Sequence, residues 1–328
     1  MKTVVNFGEL MMRLTPSGEN PILHASSFDV HFGGSEYNVA AGLSSLGYRT
    51  RFITRLPDNS IGKRAYREIL ANGVRVADDI FSKSGRMGIY FLEIGASPRP
   101  NKVVYDRSGS SFALSYAKDF HWSEYFDGAS WFHVSGITPA LSDDLRKATS
   151  EAITVARKMN LRISFDINYR TKLWTAQEAR YTLQPILEQC DVITTTEEDL
   201  ERVFAIKGET PREIADKARA MFGAEMVAIT LREMITVRRN RWGGCGICDT
   251  GFYQSSMYDI DIVDRVGAGD SFTAGIIAGM LDGNPEYAIE LASAFSAIKQ
   301  TIPGDVCTAS KADAEALIKS GEAGRIQR

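Results

Sequence analysis

The sequence lacks the features that would direct it to a membrane, to export or to nucleic acid. None of its apolar runs approaches the ~20 residues that a membrane helix needs. The first eight residues, MKTVVNFG, become polar too early for a signal peptide. The net charge is only −3, so no overall field attracts nucleic acid or an anionic membrane. The composition therefore predicts a soluble, cytoplasmic protein.

Cysteine is also scarce, with four in 328 residues. Cys245 and Cys248 form a CxxC in the stretch GGCGICDTG. One CxxC is half of a zinc site, and no second CxxC or HxxxH completes it. It does not open a helix, as a redox CxxC does. We interpret it as a glycine-rich turn between strands and predict no bound metal there.

What the chain does contain is an ordinary globular composition, with 44% hydrophobic and 24% charged residues. Short β-rich runs alternate with helical stretches. Strands are predicted at KTVVNF, RFITRL, SWFHV, LRISFDI, DVITT, EMVAIT and YDIDIV. Helices are predicted at 35–47, 60–73, 141–160, 176–189, 211–222, 271–281, 285–301 and 311–319. This alternation predicts a mostly parallel sheet covered on both faces.

Two segments interrupt the alternation. Residues 10–32 contain no convincing helix, and residues 86–116 resemble a strand, a turn and another strand. Both are predicted to be antiparallel strands inserted between the α/β units. Together they could form a small sheet over one edge of the main body.

The stretch VDRVGAGDSFTAG, residues 263–275, carries the strongest chemical signal. Gly267, Ala268 and Gly269 lie between a predicted strand and a predicted helix. Backbone amides at the positive end of that helix make an anion site, able to hold a phosphate or a developing oxyanion. Asp270 stands in the first turn of the helix. A carboxylate in this place can accept a hydroxyl proton while the anion site stabilises phosphoryl charge.

Other interpretations of this stretch remain open. Taken alone, an Asp at a helix start is more often a cap than a catalyst. A dinucleotide-binding GxGxxG needs a third glycine where Phe272 stands. That motif also usually opens its domain, whereas this stretch follows several α/β units. The lysine and Ser/Thr pair of a P-loop is absent as well.

At this point the sequence resembles the PfkB (ribokinase-like) carbohydrate kinases. DRVGAGDSFTAG resembles their C-terminal signature, usually D-T-x-G-A-G-D, and FGGSEYNVAAGLSSLG resembles their N-terminal glycine signature. The two motifs have the expected order and separation, and the resemblance extends over nearly the whole chain. It implies a ribokinase-like three-layer α/β sandwich, with a mostly parallel central sheet plus a small β-sheet lid. Residues 1–328 would form a single kinase domain, with lid strands inserted at about 10–32 and 86–116.

Within that family, four stretches resemble the 2-keto-3-deoxygluconate kinases: GIYFLE, VVYDRSGSSF, SGITPALS and FDINYRTKLW. Their substrate is a sugar acid, and a carboxylate calls for a bidentate arginine. Arg107 and Arg170 lie in stretches that face the substrate in these relatives, whereas fructokinases and adenosine kinases bind no such carboxylate. Which arginine holds the carboxylate and which lies nearer the phosphates is open, and the lid position favours Arg107 for the carboxylate.

The resemblance also implies the roles of the other site residues. Asp270 would be the base, with the Gly267, Ala268 and Gly269 amides as the anion hole. Substrate contacts are implied for Gly34, Asn38, Tyr90, Tyr105, Arg107, Asn168 and Arg170, and nucleotide contacts for Thr230, Arg232, Gly267 and Gly269. Taken singly, these residues fit a tight turn, cross-strand packing or solvated surface charges. The combined pattern is what favours a site.

The sequence departs from the family pattern in three places. The Asn-x-x-Glu motif tied to magnesium and its waters is replaced by Thr196-Glu197-Glu198-Asp199, so Glu197 and Asp199 are the candidates for metal support through water. Arg232 replaces a glycine where backbone normally approaches the nucleotide phosphates, so it either adds a phosphate contact or narrows the pocket. Arg265-Val266 replaces the usual Thr-Thr and leaves the anion hole intact.

The resemblance therefore implies an ATP- and Mg²⁺-dependent kinase that phosphorylates 2-keto-3-deoxygluconate at its terminal hydroxyl. The alternatives are a kinase of a neutral ketose such as fructose, a non-catalytic sugar-acid-binding protein on the same fold, and, less favoured, a dinucleotide oxidoreductase. A requirement for a monovalent cation is open. Exposed lid strands in such relatives often pair between subunits, so we expect a homo-oligomer through the lid, and no nucleic-acid or membrane partner.

Overall fold

A large sheet forms the middle of three layers in the computed structural model, which describes residues 2–18 and 20–320. Its strands are β1 (Thr3–Phe7), β4 (Arg49–Ile53), β6 (Arg75–Val76), β10 (Trp131–Ser135), β11 (Arg162–Asp166), β12 (Val192–Thr196), β13 (Met226–Thr236), β14 (Arg239–Cys248), β15 (Gly251–Gln254) and β16 (Tyr258–Asp261). Their order is β15-β14-β13-β12-β11-β10-β1-β4-β6, and β16 pairs with β14. From β13 to β6 every pairing is parallel, so the predicted mostly parallel sheet is confirmed.

Helices cover both faces of this sheet. They are α1 (Ser35–Ser45), α2 (Ser60–Ala71), α3 (Trp122–Tyr125), α4 (Asp143–Lys158), α5 (Ala176–Leu187), α6 (Glu197–Phe204), α7 (Pro211–Phe222), α8 (Ala268–Leu281), α9 (Pro285–Lys299) and α10 (Lys311–Ser320). Helices α4 to α7 share one hydrophobic core with the sheet, and α1 and α8 to α10 share another. Neighbouring Trp131 and Phe132 of β10 enter opposite cores, because strand side chains alternate between faces. None of the described helices has the length and apolar character needed to span a bilayer.

Local signals explain where several helices begin and end. The side chains of Ser142 and Thr175 accept hydrogen bonds from first-turn amides of α4 and α5, which satisfies backbone donors that have no intrahelical partner. Gly47 and Gly73 follow α1 and α2 with φ values of 90° and 70°. This left-handed backbone suits glycine, and the two predicted stops are confirmed.

A second, smaller sheet lies beside the main one. It contains β2 (Met11–Pro16), β3 (Phe28–Gly33), β8 (Gly88–Glu93) and β9 (Lys102–Asp106) in the order β3-β2-β8-β9; the two-residue strands β5 (Leu56–Pro57) and β7 (Phe81–Ser82) pair separately. Each inserted segment forms an antiparallel pair, as predicted, but β2 and β8 join the two pairs in parallel. We call this four-stranded sheet the lid.

The CxxC stretch is not a turn. Cys245 and Cys248 belong to β14, and the turn follows at residues 249–250. The glycines there serve close packing, since a β-carbon at Gly244 would lie 2.3 Å from the Phe272 ring of α8. Three positions apart on a strand, the two cysteines enter opposite cores. They therefore cannot share a metal, and the described residues contain no group of three or more His, Cys, Asp or Glu that could hold one.

Helix α6 was not predicted. Its start, Thr196 to Asp199, was interpreted only as a replaced metal motif. In the structure the Thr196 hydroxyl accepts a hydrogen bond of 3.0 Å from the Asp199 amide, so Thr196 caps the helix. The acidic residues that follow lie where the helix dipole favours negative charge.

Candidate active site

A cavity of about 920 Å³ opens at the carboxyl ends of the parallel strands β11 and β12, beside Thr230 in the middle of β13. The lid strands β8 and β9 form one wall, and the turn before α8 forms the floor. The crevice beyond the carboxyl ends of parallel strands is where α/β sheets bind ligands. The position and size of this cavity make it the candidate site.

Most of the predicted site residues meet in this cavity. Those that line it are Gly34, Asn38, Tyr90, Tyr105, Arg107, Asn168, Arg170, Asp199, Thr230, Gly267, Ala268, Gly269 and Asp270. Glu197 and Arg232 are not among the lining residues. Both are exposed, Glu197 at the start of α6 and Arg232 farther along β13 than Thr230.

The predicted anion hole is the turn that leads into α8. Gly267 has a φ of 85°, a left-handed conformation that favours glycine. A β-carbon there would lie 1.9 Å from the carbonyl oxygen of Asp305. No side chain of the described residues caps α8, so the first-turn amides of Gly269 and Asp270 line the cavity without a capping partner from this part of the chain. Amides at a helix start bind anions, which fits a phosphate site.

Asp270 is half-buried at the floor of the cavity and is held from α1. Its Oδ1 accepts a hydrogen bond of 2.8 Å from Ser35 Oγ, and its Oδ2 accepts one of 2.7 Å from Asn38 Nδ2. Burial raises the pKa of Asp270, while these two hydrogen bonds and the Arg170 charge work against the rise. A fixed carboxylate with a raised pKa is a better proton acceptor than a free aspartate.

A second carboxylate, Asp166 at the end of β11, was not predicted. It is buried and lines the cavity. Asn168 links it to the base, because its Nδ2 donates to Ser35 Oγ at 2.9 Å and to Asp166 Oδ2 at 3.2 Å. Burial, followed by repulsion from Asp270 and Asp199, raises the pKa of Asp166. Its sequence signal was an acidic residue that ends a buried parallel strand.

Asp199 and Arg170 complete this charged group. Burial raises the pKa of Asp199 to about 6, and the Arg170 charge works against that rise. Arg170 likewise opposes the pKa rises of Asp166 and Asp270. Its guanidinium is therefore close enough to all three carboxylates to affect them, and this places a positive charge near the anion hole.

On the lid side of the cavity, Arg107 already has a partner. Its Nε donates to Glu9 Oε2 at 3.0 Å, and its Nη2 donates to the same oxygen. Glu9 was not predicted; it follows β1, is 4% exposed and lines the cavity. Tyr90 and Tyr105 lie opposite each other on β8 and β9 with ring centroids 6.0 Å apart. The lid thus brings an arginine and two phenols to one wall.

A buried ionic cluster ties the lid to the floor. Arg13 of β2 bonds Asp264 at 2.5 Å and Asp305 at 2.9 Å, and the Tyr90 hydroxyl donates to Asp305. Asp264 Oδ1 also accepts from the Val266 amide at 3.1 Å, so the cluster holds the start of the anion-binding turn. Buried charges that lose a partner are costly. We call Arg13, Tyr90, Asp264 and Asp305 the latch.

A second wall of the cavity, formed by the stretch before the anion-binding turn, carries a positive charge that has no carboxylate partner among the described residues. Arg265 lines the cavity, and the only hydrogen bond recorded for its guanidinium among the described residues runs from Nη2 to the Val237 carbonyl at 3.1 Å. Burial and the nearby Arg232 charge lower the pKa of Arg265. From the sequence, Arg265 was expected only to leave the anion hole intact. In the structure its positive charge reaches the cavity.

Known proteins resemble this chain along almost its whole length. A profile described as pfkB family carbohydrate kinase matches residues 1–310. A 2-dehydro-3-deoxygalactonokinase of Haloferax volcanii is 32% identical over 98% of both chains. A 2-dehydro-3-deoxygluconokinase of Bacillus subtilis is 30% identical over 92% of this chain and 90% of its own. The crystal structure of a 2-dehydro-3-deoxygluconokinase from Thermotoga maritima superposes with a TM-score of 0.94 at 42% identity, covering 97% of this chain and 100% of that one.

Proposed function

The chain belongs to the pfkB family of carbohydrate kinases, and on that basis we propose that it transfers the γ-phosphoryl group of ATP to the terminal hydroxyl of 2-keto-3-deoxygluconate. The observation that carries the chemistry is Asp270, a carboxylate fixed by two hydrogen bonds beside a helix start whose amides have no cap. This arrangement combines a base with an anion site.

In the proposed reaction, Asp270 accepts the proton of the terminal hydroxyl as its oxygen attacks the γ-phosphorus. The O–H bond breaks, a new O–P bond forms, and the bond from the γ-phosphorus to the oxygen of ADP breaks. Ser35 and Asn38 hold both carboxylate oxygens in place. The amides of the turn at Gly267–Gly269 stabilise charge on the transferring phosphoryl group.

The two arginines receive different roles in this proposal. Arg170 opposes the pKa rises of Asp270, Asp166 and Asp199, so we assign it to the phosphates. Arg107 lies on the lid wall with Tyr90 and Tyr105, so we assign it to the substrate carboxylate. Glu9 orients its guanidinium through Nε and Nη2, which leaves Nη1 for the substrate.

The donor set also fits Mg²⁺ bound together with ATP. Asp166 and Asp199 both line the cavity, and repulsion between them contributes to the raised pKa of Asp166, which a nearby cation would relieve. Mg²⁺ usually keeps several waters and takes one or two carboxylates plus substrate phosphates. We therefore propose that Asp199 and Asp166 support the ion through water, rather than the exposed Glu197. The ion would supply charge neutralisation on the phosphates.

The test is a coupled ADP-release assay on the full chain with MgATP. Its substrates are 2-keto-3-deoxygluconate, its C4 epimer 2-keto-3-deoxygalactonate, and fructose as the neutral control. We expect turnover on at least one sugar acid with kcat/KM well above that for fructose. A preference for fructose would overturn the sugar-acid assignment and favour the neutral-ketose kinase. Binding of the sugar acids without turnover would favour a non-catalytic sugar-acid-binding protein. Formation of NADH would favour a dinucleotide oxidoreductase.

We also propose that residues 1–328 act as a single domain and that two copies pair through the lid. The support is that β3 and β9 are the edges of the lid sheet and expose Val30 and Val104, and open strand edges pair readily. Light scattering should give a dimer for the wild type and a smaller mass for Val30→Glu. A monomeric wild type would contradict this part of the proposal.

A further inference from the structure

A fully buried lysine lies behind the anion-binding turn and outside the cavity. Lys299, the last residue of α9, has no exposed surface. Its Nζ donates to the carbonyl oxygens of Asp264 and Ile302, at 3.1 Å each. An ammonium group in a protein interior loses its hydration, which costs several kcal/mol unless partners compensate. The burial of Lys299 at this place therefore needs an explanation.

The two carbonyls belong to the two chain segments that build the floor. Asp264 begins the segment that leads to Gly267, and Ile302 begins the segment that leads to Asp305. The segments touch at the turn itself, where a β-carbon on Gly267 would lie 1.9 Å from the Asp305 carbonyl and 3.3 Å from Lys299 Cε. The ammonium therefore bridges the two segments directly beneath the amides proposed to bind phosphate.

Lys299 and the charged side chains around it have no net charge together. The positive groups are Lys299 and Arg13, and the negative groups are Asp264 and Asp305. Burial lowers the pKa of Lys299, and the two carboxylates oppose that change. The neighbouring Cys307 is a neutral thiol, because burial raises its pKa to about 12. Removing the lysine charge would leave the two carboxylates facing only Arg13.

We propose that the Lys299 ammonium is a built-in monovalent cation that holds the anion-binding turn in shape, so that phosphoryl transfer needs no added K⁺ or Na⁺. Backbone carbonyls around a single charge are also how proteins bind K⁺. The inference rests on the proposed kinase function and answers the monovalent-cation question that the family resemblance left open. Lys299 does not line the cavity, so it is a positioning residue that acts through the turn.

The experiment compares salts at equal ionic strength with the full-length protein. Wild-type kcat should agree within about twofold in choline, sodium, potassium and ammonium chlorides. Lys299→Ala should lose roughly ten- to a hundredfold in kcat in choline chloride, because misplacement of a binding group by about 1 Å costs up to that much. KM for the sugar should change little. Potassium or ammonium should restore part of the kcat loss by entering the vacated space.

Two further variants separate charge from packing. Lys299→Met fills the space without a charge, so its kcat should be low in every salt. Lys311→Ala removes a half-buried lysine that pairs with Asp282 outside the site, and it should behave like the wild type. A wild type that requires potassium would overturn the proposal. So would a Lys299→Ala variant that is fully active in choline, or one whose loss is the same in all salts.

A second readout needs no turnover. Potassium and ammonium should raise the Tm of Lys299→Ala in a saturable way and more than they raise that of the wild type, because only the variant has an empty cation position. Equal shifts in the two proteins would count against the built-in cation. If the wild type phosphorylates no sugar, the proposed function fails, and the salt dependence of Tm still decides whether Lys299 replaces a cation.

Discussion

The two walls of the cavity differ in how their charged groups are satisfied before any ligand arrives. On the lid wall, Arg107 is bonded to Glu9, and Tyr90 is bonded to Asp305 of the latch. On the second wall, Arg265 has no carboxylate partner among the described residues, and the nearby charge of Arg232 helps to lower its pKa. The lid wall is therefore already arranged for a small, specific substrate. The second wall has positive charge that a polyphosphate would neutralise.

This difference implies different costs of ligand binding. A group that is held by an internal partner loses little conformational freedom when a ligand binds, so the lid wall favours selectivity. Free positive charge attracts any polyphosphate and is screened by salt. We therefore expect mutations on the lid wall to change which sugar is used, and mutation of Arg265 on the second wall to change mainly the affinity for ATP.

The largest effect is expected at the floor that both walls share. Asp270→Asn retains the shape but removes the proton acceptor, so kcat should fall by about two orders of magnitude or more with little change in KM. Stopped-flow or coupled assays will measure this. A variant that keeps most of its activity would mean that Asp270 only joins α8 to α1 through Ser35 and Asn38.

The raised pKa of Asp270 predicts the direction in which kcat and Tm change with pH. Because burial raises the pKa of Asp270, wild-type kcat should fall as pH drops through that raised value. A buried carboxyl that prefers its neutral form also lowers stability when it ionises, so the neutral Asn should raise Tm at pH 7 to 8. The gain should shrink toward pH ~4, where the unfolded carboxyl also becomes protonated. A gain in Tm that is independent of pH would contradict the cause given for the shift.

The next largest effect is expected at Arg107 on the lid wall. Arg107→Ala removes a charged hydrogen bond worth about 1.5 to 3 kcal/mol, so KM for the sugar acid should rise roughly ten- to a hundredfold. Arg107→Lys should restore only part of the loss, because an ammonium lacks the planar fork. The measurement is kcat/KM on 2-keto-3-deoxygluconate and on fructose. Equal losses on both sugars would mean that Arg107 does not recognise a carboxylate.

A smaller effect is expected at Arg265 on the second wall. Arg265→Ala should raise KM for ATP by roughly tenfold or less, since the group is only half-buried. Arg232→Gly is the matched comparison, because Arg232 is exposed and does not line the cavity, and it should change KM for ATP by about twofold at most. Sugar KM should stay constant in both. If Arg232→Gly raised KM for ATP more than Arg265→Ala did, Arg232 rather than Arg265 would be the more important arginine for ATP binding.

The smallest effect on activity is expected at the two cysteines of β14, which do not line the cavity. A Cys245→Ser, Cys248→Ser double variant should keep its kcat within about twofold and lose some Tm, because two buried thiols become hydroxyls. Metal analysis of the purified wild type should find no zinc. Stoichiometric zinc would refute the argument that the two thiols enter opposite cores.

The parts of the molecule that could be predicted from the sequence depend on short stretches. The turn at Gly267–Gly269, the helix after it and the stops at Gly47 and Gly73 each depend on a few adjacent residues. The β14 strand was missed because its glycines suggested a turn, whereas they allow α8 to pack closely. That reason is visible only when Gly244 and Phe272 meet in three dimensions.

The unpredicted site residues were missed for a related reason. Glu9 gains its role from Arg107, 98 positions away, and Arg13 from Asp264, 251 positions away. In a single sequence such charges are indistinguishable from solvated surface residues. The family resemblance supplied the residues of its motifs, but Asp305 and Lys299 lie outside the stretches that it assigned. Asp166 lies within the stretch FDINYRTKLW but was given no role there.

The latch also sets when the site can form during synthesis. Arg13 and Asp305 are 292 positions apart, and translation adds about 5 to 20 residues per second. Arg13 is therefore synthesised roughly 15 to 60 s before its second carboxylate partner exists. During that time the guanidinium must stay hydrated, and the strand that carries it cannot settle against the floor. A nascent chain that ends before Asp305 should bind neither substrate, however complete its sheet.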